Sequence, residues 1–247
     1  MYGQILVLSP HRDDAAFSIG CAIESWVRAG QEVTMINIFT ESAYSPNSTV
    51  PCTVESVGLV RAQEDRTFAS ALAGPIRILD LNRLDAPLRN PSRYSSTIRC
   101  VGELPNEDES EALNLAGQLS QELASLSTET FLLVPLALGN HVDHRVVHAS
   151  AKLFASKVAC FGFYEDLPYA GELSENELRD HIVSVERTWG IILRPHMLGS
   201  GGNDEIEHKR RIAQVYESQL LDEDMTSILR HAHRMEGRER IWISKAR

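Results

Sequence analysis

The chain opens with an alternation that leaves few folds available. Gln4–Leu8 is a short apolar run that reads as a buried strand. Ala15–Ala29 follows with apolar residues at helical spacing (Phe17, Ile19, Ile23, Trp26, Val27), and Gly30 ends it. Val33–Phe39 is a second apolar, β-branched run. Two strands joined through a helix lie parallel in one sheet, because the crossover returns the chain to the same edge. The alternation continues. Helices are expected over Glu55–Leu72, Glu111–Leu126 and His144–Phe154, and strands over Ile76–Leu81, Phe131–Leu136 and Ala159–Tyr164. Later, Arg187–Met197 reads as holding a strand, Glu205–Leu220 as a helix, and the residues near Trp242 as a closing strand. Ser42–Thr53 and Asn82–Asp108 read as loops, the second long enough for a lid. The expected class is α/β, a doubly wound, mostly parallel sheet with helices on both faces. No composition break divides the 247 residues, so one domain spanning 1–247 is expected.

Several functions are disfavoured. The net charge of -10 argues against a nucleic-acid partner, because phosphate binding needs basic surface. His208-Lys209-Arg210-Arg211 is locally basic and reads as a solvated helix face. No apolar run has the length of a membrane span, and the N-terminus lacks a signal-peptide layout. Cys21, Cys52, Cys100 and Cys160 are scattered without a C-x-x-C, which fits reduced thiols in the cytoplasm. There is no G-x-S-x-G, no Walker A loop and no G-x-G-x-x-G. Gly199-Ser200-Gly201-Gly202 reads as a surface loop rather than an anion cradle.

Two polar clusters remain, each directly behind an expected strand. The first is His11-Arg12-Asp13-Asp14. In a helical turn, His11 and Asp14 share a side and can bind one metal, while Asp13 points elsewhere and is free to take a proton. Read alone, the two aspartates are explained equally well as helix caps. The second cluster is Gly139-Asn140-His141-Val142-Asp143-His144. Together the clusters offer His, Asp and His for a three-ligand zinc site with an open position. His148 competes as a ligand, being i+4 from His144, but Arg145 stands where H-E-x-x-H needs glutamate.

Pro10-His11-Arg12-Asp13-Asp14 resembles the P-H-P-D-D motif of the PIG-L/LmbE-like zinc deacetylases, and His141-Val142-Asp143-His144 resembles their H-x-D-H motif. Arg61-Ala62-Gln63-Glu64, Tyr164-Glu165-Asp166-Leu167-Pro168-Tyr169, and Lys209 with Tyr216–Gln219 continue the resemblance in the family's order. The resemblance implies a Rossmann-like fold and hydrolysis of an N-acetyl group on a glucosamine-type sugar conjugate. It implies one Zn2+ per chain, held by His11, Asp14 and His144. Asp13 would be general base. His141 would stabilise the oxyanion or donate a proton, with Asp143 pairing to tune its charge. Arg61, Arg12 and Asp85 are the expected substrate contacts, although Arg61 fits equally a pair with Glu64 or Asp65 on its own helix. Asp85 and its neighbour Arg89 default to surface positions. Arg12 replaces a usual proline and Ala15 a common glutamate, which is the sequence basis for a second reading, a catalytically degenerate sugar- or metal-binding relative. The expected partner is a small amino-sugar conjugate, with no nucleic acid and no membrane. Self-association is left open.

Overall fold

The computed structural model describes residues 2–47, 49–95, 97–123 and 129–244. The first half alternates as expected: β1 (Gln4–Ser9), α1 (Asp14–Arg28), β2 (Val33–Asn37), α2 (Val54–Ala71) and β3 (Arg77–Asp80). Two short helices follow, α3 (Ala86–Arg89) and α4 (Pro91–Tyr94), then α5 (Asn106–Glu122), β4 (Thr130–Pro135) and α6 (Val142–Ala151). The second half contains β5 (Cys160–Tyr164), α7 (Tyr169–Glu172), α8 (Glu175–Trp189), β6 (Leu193–Leu198), α9 (Asn203–Gln214), α10 (Asp222–Arg234) and β7 (Glu239–Ser244).

These strands form one seven-stranded sheet of order β3-β2-β1-β4-β5-β7-β6. The first five run parallel, and β7 is antiparallel to both β5 and β6. The central strands are covered on both faces, which is why they read as continuous apolar runs rather than alternating ones. Ile5, Leu6, Val7 and Leu8 of β1 are all buried, as are Phe131, Leu132, Leu133 and Val134 of β4.

Several elements depart from the sequence reading. The long segment after β3 is not structureless, since α3 and α4 lie inside it and α5 begins at Asn106. Glu107, Asp108 and Glu109 fill the first turn of α5, where negative charge suits the exposed amides; their polarity makes the turn resemble a loop. The expected end of that helix at Leu126 lies outside the described residues. Arg187–Trp189 closes α8 instead of opening a strand, and β6 starts at Leu193. The basic run on α9 is a solvated face only in part, at Arg210 and Arg211. Lys209 is buried and pairs with Glu239, and His208 bonds to Glu24. Glu239 also accepts the amides of Cys21 (3.1 Å) and Ala22 (2.7 Å), just past Ile19, where α1 leaves helical geometry. A carboxylate from the last strand thus satisfies donors that the distorted helix releases.

His148 is also settled by packing. Its Nδ1 donates to the Pro135 carbonyl at 2.9 Å and its Nε2 accepts from the Trp189 indole at 2.8 Å. Both nitrogens are used in a neutral ring turned away from the site, so it is not a ligand. Burial holds its pKa down at about 4. The unfolded chain therefore binds a proton that the folded chain refuses, and stability falls as pH drops from about 6.5 toward 4. The loss from this group reaches about 3 kcal/mol. His148→Gln should be less stable than the wild type at pH 7 yet fall less steeply toward pH 4, as measured by urea unfolding at both values. Parallel pH profiles for the two proteins would remove His148 as the cause.

Candidate metal centre

Strand order reverses between β1 and β4, so the loops leaving these two strands diverge and open a crevice at their carboxyl ends. The first cluster leaves β1 and the second leaves β4. The β1 turn is braced by Ser9, whose hydroxyl accepts the Ala15 amide at 3.0 Å and donates to the His11 carbonyl.

Asp14 stands at the centre. Its Oδ2 accepts the His11 amide at 2.7 Å and lies 3.1 Å from His11 Nδ1, while its Oδ1 lies 3.3 Å from His144 Nε2. Donor atoms of His11, Asp14 and His144 fall within 4.8 Å of one another. Each imidazole has a second carboxylate behind it. His11 Nε2 lies 3.2 Å from Asp143 Oδ2, and His144 Nδ1 lies 2.6 Å from Asp166 Oδ1. Such carboxylates fix the tautomer and ring orientation of a ligating histidine. A divalent metal therefore fits His11 Nδ1, Asp14 and His144 Nε2. His11, His141 and Asp143 also converge within the same reach. That set is the poorer one, because Asp143 is already engaged by the Ala86 amide at 3.0 Å and by Arg89 at 2.9 Å.

The charges follow from this packing. Burial alone would push Asp14 up, but His144 and His11 hold it well below the usual carboxylate range. Burial works against protonation of His11 and His144, yet Asp14 and the backing carboxylates raise them to about 9 and about 10. Asp13 is different. Burial and the adjacent Asp14 raise its pKa. It occupies the N-cap position of α1 without capping anything, and its carboxylate bonds to no other described residue. The capping explanation of Asp13 therefore fails, and it is left beside the cluster as a free base.

His141 and Asp143 do not pair as expected. The Asp143 carboxylate turns to His11 and Arg89, and only its amide reaches His141, donating to Nδ1 at 3.2 Å. A ring that accepts at Nδ1 carries its proton on Nε2 when neutral. Burial, His11 and His144 hold His141 well below the usual imidazole pKa, so it is a neutral donor rather than an imidazolium.

The three expected substrate contacts diverge. Arg61, on α2, is buried. Its Nη2 donates to the Tyr44 carbonyl at 2.9 Å and to Gln219, and the charge it feels most is Asp13. It pairs with neither Glu64 nor Asp65: Glu64 accepts from Ser218, and Asp65 from Arg12 and Tyr216. Arg12 is not a substrate contact. Its guanidinium is buried behind the turn, 2.5 Å from Asp65 on α2 and 2.7 Å from Asp80 on β3. Asp85 is buried, and its Oδ1 caps α3 by accepting the Leu88 amide at 3.1 Å. Arg89 spans Asp108 and Asp143, each at 2.9 Å, so it braces the centre from behind instead of lying on the surface. Asp166, part of the stretch behind β5 that carries the family resemblance but was given no role there, backs His144 at the same sheet edge.

The chain as a whole is similar to known proteins. The family model described as PIG-L: GlcNAc-PI de-N-acetylase matches residues 6–155, which include both clusters. The 2'-N-acetylparomamine deacetylase of Streptomyces fradiae is 32% identical over 250 residues, covering 97% of this chain and 81% of the relative. Among solved structures, a deacetylase of teicoplanin biosynthesis superimposes with a TM-score of 0.72 at 22% identity, covering 98% of each chain. The zinc-inhibited form of teicoplanin deacetylase Orf2 gives 0.69 at 20% identity, again over 98% of each chain. The structural likeness speaks for the fold; the family match and the identity along nearly the whole chain place this protein in the PIG-L family.

Proposed function

We propose that this protein is a zinc-dependent deacetylase that removes an N-acetyl group from a glucosamine-type sugar conjugate. One observation carries the reading: Asp14 lies between two carboxylate-backed imidazoles, with the unengaged Asp13 carboxylate beside them. The Streptomyces relative, named for an N-acetylated amino sugar, supports the substrate class. His11, Asp14 and His144 would hold one zinc per chain. Bound there, zinc would lower the pKa of a coordinated water to about 7 and polarise the acyl carbonyl.

The chain's own groups supply the rest. Asp13 takes the proton of the attacking water, and its raised pKa makes it a stronger base than an exposed aspartate. The water oxygen bonds to the carbonyl carbon. The C–N bond then breaks, and the leaving nitrogen takes up the proton held by Asp13, giving acetate and a free amine and returning Asp13 to its carboxylate form. His141 offers Nε2–H to the negative oxygen that develops. Arg61, which feels Asp13 most strongly and donates to the Tyr44 carbonyl, would contact the sugar from that side. Asp143 and Asp166 act through the histidines that they orient.

The purified protein should contain about one zinc per chain and release acetate from N-acetylglucosaminides. A chelator should abolish the activity, and added zinc should restore it. Stoichiometric zinc without acetate release from any N-acetylated amino sugar would instead identify the degenerate binding relative.

A further inference from the structure

One polar group in the crevice has no role in the mechanism above. Tyr169, the first residue of α7, lays its ring against both histidines of the second cluster. The ring centroids are 5.6 Å from His144, near perpendicular at 79°, and 6.5 Å from His141. Arg99 lies over the ring at 5.9 Å and approaches Glu172 at 3.8 Å, so the ring is held from outside as well. The fold makes room for this placement. A Cβ on Gly139 would fall 2.4 Å from the Tyr169 ring, and Gly139 has a φ of +74° that favours glycine. A residue with a side chain there would push the ring off the histidines.

The hydroxyl is the unusual part. Among the described residues it makes no hydrogen bond, although other phenols buried near the site are bonded: Tyr164 donates to the Leu8 carbonyl at 2.8 Å and Tyr216 to Asp65 at 3.0 Å. Tyr169 is only partly buried, so its hydroxyl is open to a molecule bound in the crevice. The ring's contact with His144, whose Nε2 faces Asp14, sets the residue at the edge of the metal site. At neutral pH a phenol is a donor.

The geometry points to Tyr169 as a catalytic residue whose hydroxyl donates a hydrogen bond to the acyl oxygen of the amide, beside His141. The proposal rests on the deacetylase reading and adds to it a second donor for the oxygen that becomes negative as the water adds. The phenol keeps its proton throughout; it stabilises charge and transfers nothing. Two fixed donors aimed at one developing charge act mainly in the transition state, where the charge is largest.

Tyr169→Phe keeps the ring, its packing on the histidines and its fit to Gly139, and removes only the hydroxyl. With zinc content and melting temperature equal to the wild type, kcat should fall about 100-fold while KM changes less than about threefold. A phosphonamidate analogue of the N-acetylated sugar, which mimics the tetrahedral species, should bind the zinc-loaded variant about 100-fold more weakly. An unchanged kcat, or a raised KM at unchanged kcat, overturns the proposal, the latter because the hydroxyl would then serve ground-state binding. If the wild type releases no acetate, the deacetylase reading fails by itself. The phosphonamidate titration still decides Tyr169, because equal Kd values for wild type and variant overturn its role.

Discussion

Asp13→Asn should retain zinc and lose turnover by about 1,000-fold or more. The side chain keeps its volume, but an amide cannot accept the proton of the attacking water, and positioned bases contribute about 100- to 10,000-fold. The metal should stay because Asp13 is outside the ligand set: His11, Asp14 and His144 converge without it. Metal analysis and an acetate-release assay on the same preparation read both halves. Turnover near the wild-type level would exclude Asp13 as the base, and loss of zinc would make it a ligand.

Arg12→Met should destabilise the fold by about 3–5 kcal/mol, the usual cost of removing one partner from a buried ion pair. Arg12 joins the β1 turn to α2 through Asp65 and to β3 through Asp80, and Asn37 donates to Asp65 from below at 3.0 Å. Without the guanidinium, two carboxylates face each other with only neutral donors between them. The deficit should shrink in acid. Burial, only partly offset by Arg12, pushes Asp65 up to about 6, so as pH falls through that value the carboxylate protonates and the lost pair matters less. Urea unfolding of both proteins at pH 8 and pH 5 tests this. An unchanged stability at pH 8 would mean that the ion pair contributes nothing net, as some buried pairs do.

The two ligand clusters were legible because both kinds of signal were local. An apolar run followed at once by His and Asp places those groups at the carboxyl end of a strand, and a parallel sheet puts its ligands there. The orientation of each side chain was not legible. Asp143 stands between two histidines in sequence and was expected to pair with His141, but its carboxylate goes to His11, 132 residues away in the chain. Arg12's positive charge beside the cluster left two readings open, favouring an anionic substrate or pairing with a nearby acid, and the structure shows the pairing. Adjacent residues in a turn point in different directions, and this one meets acids on α2 and β3. Asp166 and Tyr169 join the site from a third loop; the sequence marked that loop through the family resemblance, but only the order of the strands shows which groups its side chains meet.

The sequence by itself indicated the mostly parallel sheet and the edge at which both polar clusters lie, because periodicity and local spacing encode those features within a few residues. The choice of His11, Asp14 and His144 as metal ligands came from the resemblance to the family. Only the tertiary structure decided what each polar group faces: the free carboxylate of Asp13, the neutral donor His141, the buried brace Arg12 and the unpartnered hydroxyl of Tyr169. Hydrogen-bond partners and local charge are set by groups that are distant in the chain and adjacent in space, and no pattern along one strand or helix contains that information.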